Sequence, residues 1–114
     1  MDDAYLEAVL DVVAAIPPGR VMTYGTIAEV VADRFEATGE RARGGPRQVG
    51  QVMARAGADV PWWRVVNASG EPPARHRQRA LAELRAEAAP LVADGTRVAV
   101  RRAIWFPDDE PADG

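Results

Sequence analysis

The sequence predicts a small, mainly α-helical domain with one or two short strands, and three observations carry that prediction. Apolar residues recur at three- and four-residue spacing in four separate stretches. Proline and glycine stand between those stretches, at Pro17-Pro18-Gly19, Gly44-Gly45-Pro46 and Pro72-Pro73. Strand-like runs are few and short, at Val65-Val66 and at the alternating Val98, Val100 and Ile104. At 114 residues the chain has the size of one domain with a modest core. Residues 1–106 are expected to form it, and 107–114, which contain Asp108, Asp109, Glu110 and Asp113, an acidic disordered tail.

In chain order, Tyr5, Leu6, Val9, Leu10, Val12, Val13 and Ile16 place one face of a first helix over 4–16 against the core. Pro17-Pro18-Gly19 stops it. A short extended link, Arg20-Val21-Met22, leads to Thr23, whose hydroxyl is placed to cap a second helix running to about Arg34 on Ile27, Ala28, Val30 and Val31. Residues 35–45 are polar and glycine-rich and read as a mobile loop. Pro46 opens a third helix, to about Ala56, with Val49, Val52 and Met53 inward and Arg47, Gln48, Gln51 and Arg55 outward. Gly50 costs that helix about 1 kcal/mol relative to alanine, which points to a close approach to its backbone. A fourth helix over 77–93 buries Leu81, Leu84, Ala88 and Leu91, with Pro90 stopping or kinking it.

Composition excludes several function classes. The chain has no cysteine, so disulfides, thiolate metal sites and a thiol nucleophile are all ruled out. His76 is the sole histidine and on its own supports no metal site; no cofactor is expected. No apolar run reaches the roughly 18 residues of a membrane span. Met1-Asp2-Asp3 is acidic where a secretory signal is basic, so a cytoplasmic location is expected; no membrane partner is expected, and the chain is taken as a monomer. Net charge is −3, yet residues 41–79 hold eight arginines against Asp59 and Glu71, a local excess of six positive charges. A basic middle between acidic ends fits phosphate binding.

The stretch Pro61-Trp62-Trp63-Arg64-Val65-Val66-Asn67-Ala68-Ser69-Gly70 concentrates two of the three tryptophans behind a proline. Read as extended, it sends Trp62 and Trp63 to opposite sides, one to the core and one to an open surface. Helices two and three read as a helix-turn-helix, with the third presented to a nucleic-acid groove; a solvated helix face bearing two arginines fits the same pattern. Tyr24 sits at a helix N-terminus, where phosphate is bound favourably, or is a half-buried core tyrosine.

Three stretches in order, residues 16–28 (IPPGRVMTYGTIA), 46–50 (PRQVG) and 61–70 (PWWRVVNASG), together resemble the DNA-binding domain of O6-alkylguanine-DNA alkyltransferases. The resemblance covers roughly residues 4–95 and implies a winged helix-turn-helix-like domain. The repair enzymes carry Pro-Cys-His-Arg-Val where this chain has Pro61-Trp62-Trp63-Arg64-Val65, so tryptophan stands at the alkyl-accepting position. That substitution is similar to the alkyltransferase-like proteins, which bind O6-alkylguanine in double-stranded DNA without repairing it. Alkyl transfer needs a polarizable, activated nucleophile, and this chain offers none beside the motif.

The resemblance assigns roles by position. It makes Arg47 a finger entering the base stack from the minor groove, with Gln48, Gly50 and Gln51 on the helix lying along that groove. It sets Tyr24 against the 3′ phosphate and the flipped guanine, and Thr23 at its helix cap within reach of phosphate. It lines the lesion pocket with Trp62, with backbone groups of Trp62 and Val65 reading the guanine edge. Arg64 and Asn67 brace the loop, and Arg75 lies against the lesion base. It also implies handing the lesion to nucleotide excision repair proteins. The family's histidine is replaced by Trp63, read as packing under the loop. The Asn-Pro hinge of the enzymes is absent from 54–60, and the 35–45 loop is long. A sequence-specific helix-turn-helix regulator, a residual alkyltransferase and a protein-interaction module remain open at this point.

Overall fold

The computed structural model describes residues 3–56 and 58–107. The expected tail, apart from Pro107, lies outside the described residues. Four helices and one short parallel ladder form the frame. Helix α1 (Asp3–Ala15) is followed by strand β1 (Met22–Thr23), helix α2 (Tyr24–Ala37), helix α3 (Pro46–Arg55), strand β2 (Val65–Val66) and helix α4 (Arg77–Ala86). A single helical turn, α5 (Val100–Ala103), closes the described chain. Strands β1 and β2 run parallel, with Met22 opposite Val65 and Thr23 opposite Val66.

This ladder stands between two apolar clusters, and strand alternation explains how. Met22 and Val65 face a core built from Tyr5, Val9, Val13, Ile27, Val31 and Val49 of α1, α2 and α3. Their neighbours Val21 and Val66 face a second cluster with Leu84, Ala89, Val98 and Ala103. Two residues of ladder therefore couple the three N-terminal helices to the C-terminal half.

Several expectations are corrected. Helix α2 continues through Phe35 to Ala37, because Phe35 is buried and stacks on Tyr5 at 6.4 Å between centroids. The connecting loop is shortened accordingly. The tryptophan pair is not extended: Trp62–Arg64 form a 3₁₀ turn, closed by bonds from Arg64 N–H to Pro61 O and Val65 N–H to Trp62 O. Helix α4 ends at Ala86, well before Pro90, and Ala88 adopts a left-handed conformation at φ +60° and is exposed. The valines at 98 and 100 do not lie on one strand. Val98 bridges Leu91, Val100 begins α5, and Ile104 bridges Val21.

Candidate nucleic-acid interface

The site begins at the junction of β1 and α2. Thr23 is in extended conformation and its hydroxyl accepts from Thr26 N–H, while the Thr26 hydroxyl accepts from Thr23 N–H, a reciprocal cap. Thr23 is buried, with its hydroxyl committed to Thr26. Its place is therefore the cap, and the phosphate contact expected of it is not offered to solvent. What the cap fixes is Tyr24, the first residue of α2, which is partly exposed. Burial raises the Tyr24 phenol above its ordinary 10.0, so the hydroxyl stays protonated and able to donate.

Helix α3 presents Arg47, Gln48 and Gln51 on its exposed side, and buries Val49 and Val52. Pro46 occupies its first turn and the Gln48 side-chain Oε1 accepts from Gly45 N–H at 3.0 Å. Gln48 thus helps to start the helix as well as facing outward. Gly50 lies on the same helix, and a Cβ built there meets nothing within 4 Å. The close approach that Gly50 implied is not made by any described part of this chain; the space is open.

The tryptophan turn is held by a carboxylate that no sequence motif singles out. Glu87, just past α4, accepts from Trp63 Nε1 at 2.9 Å, from Arg64 Nε and Nη2, and from Gly19 N–H at 3.0 Å. Arg64 also donates to Ile16 O at 2.8 Å and stacks over the Trp63 ring at 5.3 Å. Burial alone would push the Glu87 carboxyl up, but the hydrogen bonds from Arg64, Gly19 and Trp63, with the Arg64 charge, outweigh it and hold it below its ordinary value. Asn67 organises the following loop: its side-chain oxygen accepts from Ser69 and Glu71 N–H, and its amide donates to Glu71. Arg64 and Asn67 accordingly touch the loop's own framework.

Because the turn is 3₁₀, the two indoles diverge by rotation and not by strand alternation, meeting edge-to-face at 87° and 5.8 Å. Trp63 packs on the second cluster. Trp62 belongs to neither core and lines a cavity of about 420 Å³, within the roughly 300–1,000 Å³ of small-ligand sites. Tyr24 and Val65 contribute from the ladder side, and Gly50, Met53 and Ala54 from α3. Ala56 and Ala58 follow from the end of α3, and Pro73, Arg75, His76 and Arg79 complete the lining. The cavity thus gathers Tyr24, Gly50, Trp62, Val65 and Arg75. Arg47, Gln48 and Gln51 do not line it, and lie on exposed α3 surface beside it.

His76, read from sequence as a surface residue, is exposed but sets its ring edge-on to Trp62 at 5.6 Å. Arg79 and Met53 also line the cavity unforeseen. Spacing held a signal for Arg79, since 75, 76 and 79 share a face if helical. Among the described residues, no cluster of three metal-ligating side chains occurs, and no helix is long and apolar enough to cross a membrane.

The model of the 6-O-methylguanine DNA methyltransferase DNA-binding domain matches residues 4–89. A DNA base-flipping protein of Escherichia coli (strain K12) is 39% identical over 71 residues, 60% of this chain and 48% of that protein. Alkyltransferase-like protein 1 of Schizosaccharomyces pombe is 42% identical over 72 residues, 61% of this chain and 57% of that protein. The chain thus spans about half the length of these two curated relatives. The crystal structure of S. pombe Atl1 in complex with damaged DNA containing O6-carboxymethylguanine superposes with a TM-score of 0.72 at 30% identity, over 94% of this chain and 99% of that one.

Proposed function

Given that this chain belongs to the family of the 6-O-methylguanine DNA methyltransferase DNA-binding domain, we propose that it binds duplex DNA through the minor groove and turns an O6-alkylguanine out of the stack into the Trp62-lined cavity. The observation that carries this reading is the cavity itself. It opens between Tyr24 at a helix N-terminus, a bare glycine on α3 and an indole that neither core claims.

In this reading α3 lies along the groove and Gly50 lets its backbone come close. Arg47, exposed at the second position of α3, enters the stack and fills the space of the displaced nucleotide. Tyr24, a neutral phenol at the start of α2, presses on the 3′ phosphate and offers its hydroxyl to the base. Gln48 and Gln51 contact the groove. Arg75 stacks on the lesion base, and backbone groups of Trp62 and Val65 read its edge. The O6 substituent lies against the Trp62 indole.

No alkyl transfer follows in this reading. The chain has no cysteine, and an indole at the position of the acceptor is not a nucleophile under these conditions. The lesion is held and marked, and its removal is left to nucleotide excision repair proteins, as the family resemblance implies.

A gel-shift comparison tests the proposal. One duplex carries guanine or O6-methylguanine at a single position, with wild type, Arg47→Ala, Tyr24→Phe and Arg55→Ala. Tighter binding of the lesion is expected, with larger losses for Arg47→Ala and Tyr24→Phe than for Arg55→Ala. Equal affinity for the two duplexes would overturn it. Intact mass after incubation with the methylated duplex should stay unchanged; a gain of one methyl group would make the protein a transferase.

A further inference from the structure

One wall of the cavity comes from the 3₁₀ turn at Ala74–His76 and the start of α4, and it carries Arg75, His76 and Arg79. No aspartate or glutamate occurs among the described lining residues. Arg77, between them in sequence, is 3.9 Å from Glu71. Arg75 and Arg79 have no carboxylate partner among the described residues.

The backbone adds to this charge. The first turn of α4 contains no acidic residue, and its N-cap, His76, makes no side-chain capping bond. The amides of that turn and the helix dipole raise the positive potential where His76 and Arg79 border the cavity. The facing surface is uncharged: Met53, Ala54, Trp62 and Val65.

A flipped guanine ring brings no anion of its own into such a space, and its phosphates remain on the strand. Arg75 is assigned above to the base plane. Arg79 and His76 are then left without an anionic acceptor, since the N7 and O6 acceptors of an unmodified guanine are uncharged. We propose that Arg79, with His76, receives the far end of the O6 substituent. The protein therefore prefers substituents ending in a carboxylate to uncharged ones of equal size. This inference rests on the base-flipping reading above.

The test uses three duplexes that differ at one guanine: O6-methyl, O6-carboxymethyl and O6-carbamoylmethyl. The last two are nearly isosteric and differ in charge. Phosphate contacts are common to both, so the ratio of their affinities isolates the substituent. Wild type should bind the carboxymethyl duplex about tenfold more tightly than the carbamoylmethyl one at low salt, about 1.4 kcal/mol. Added salt should shrink the ratio, because Arg75, His76 and Arg79 are exposed. Arg79→Gln should bring it to about 2 or below, His76→Gln should reduce it, and Arg79→Lys should largely keep it.

Equal affinity for the two duplexes in wild type overturns the proposal. So does an Arg79→Gln variant that weakens all three duplexes alike with the ratio unchanged, since that outcome places Arg79 on phosphate. Failure of base flipping is read separately, as O6-methylguanine bound no better than guanine.

Discussion

Arg64 and Glu87, 23 residues apart, form a two-pronged ion pair in which both side chains are only 13% exposed. Removing one partner of a buried pair costs about 3–5 kcal/mol, because the other charge is left desolvated. Arg64→Ala and Glu87→Ala should each lower stability by an amount near the lower end of that range, read by urea unfolding. Lesion selectivity should fall with them, since the same pair anchors the turn carrying Trp62. A loss under 1 kcal/mol in both variants would refute this role.

The same carboxylate predicts a pH dependence. Glu87 is held below its ordinary value of 4.5 in the folded protein, so the unfolded chain takes up this proton first as pH falls. Its contribution is fully present above pH 4.5 and is lost as pH drops through the folded value. Unfolding free energy should therefore decline more steeply below pH 4.5 in wild type than in Glu87→Gln. Parallel curves for the two proteins would contradict the assignment.

Two glycines should respond oppositely to alanine. Gly50 is helical with open space at its Cβ, so Gly50→Ala should stabilise the fold by about 0.5–1 kcal/mol while weakening DNA binding, because the methyl group enters the space proposed for DNA. Gly70 has φ +90°, and a Cβ there falls 2.1 Å from Val98 O. Gly70→Ala should cost more than the roughly 1–3 kcal/mol of a strained backbone alone. Thermal unfolding and gel shift on both variants check this, and unimpaired DNA binding by Gly50→Ala would remove the glycine from the interface.

The adjacent tryptophans should separate in the same way. Trp63→Phe deletes an indole N–H bound to a carboxylate, a loss of about 1.5–3 kcal/mol in stability. Trp62→Ala removes a ring from a cavity wall outside both cores. It should change stability less than Trp63→Phe and lesion discrimination more. The reverse order in either measurement would exchange their roles.

Much of this was legible in local sequence. The α1 periodicity, the Thr23 cap and Pro46 at the start of α3 are decided within a few residues, and each stands where the spacing put it. The tryptophan turn was not legible. Its geometry depends on Glu87, 24 residues beyond Trp63, and nothing near Pro61 signals a 3₁₀ turn over a strand. Phe35 reads as loop from local sequence because its partner Tyr5 is thirty residues earlier. The C-terminal valines alternate like a strand, but their bonds run to Gly70 and within α5 instead of along one ladder. Of the cavity, Tyr24, Trp62 and Val65 follow from the motifs and Arg75 from the loop after them, while His76 and Arg79 depend on how the start of α4 is placed.

The segment 103–105 crosses β1 as a strap. Val21 N–H donates to Ala103 O, Trp105 N–H donates to Val21 O, and Arg20 holds Ala103 O and Ile104 O through its guanidinium. These bonds span more than 80 residues, and β1 meets β2 across some 40. Contacts that close such long loops form late, after the local helices, because their ordering entropy comes before their reward. The three N-terminal helices can therefore assemble early in synthesis, while the tryptophan turn waits for Glu87 and the strap over β1 for the last part of the described chain to arrive.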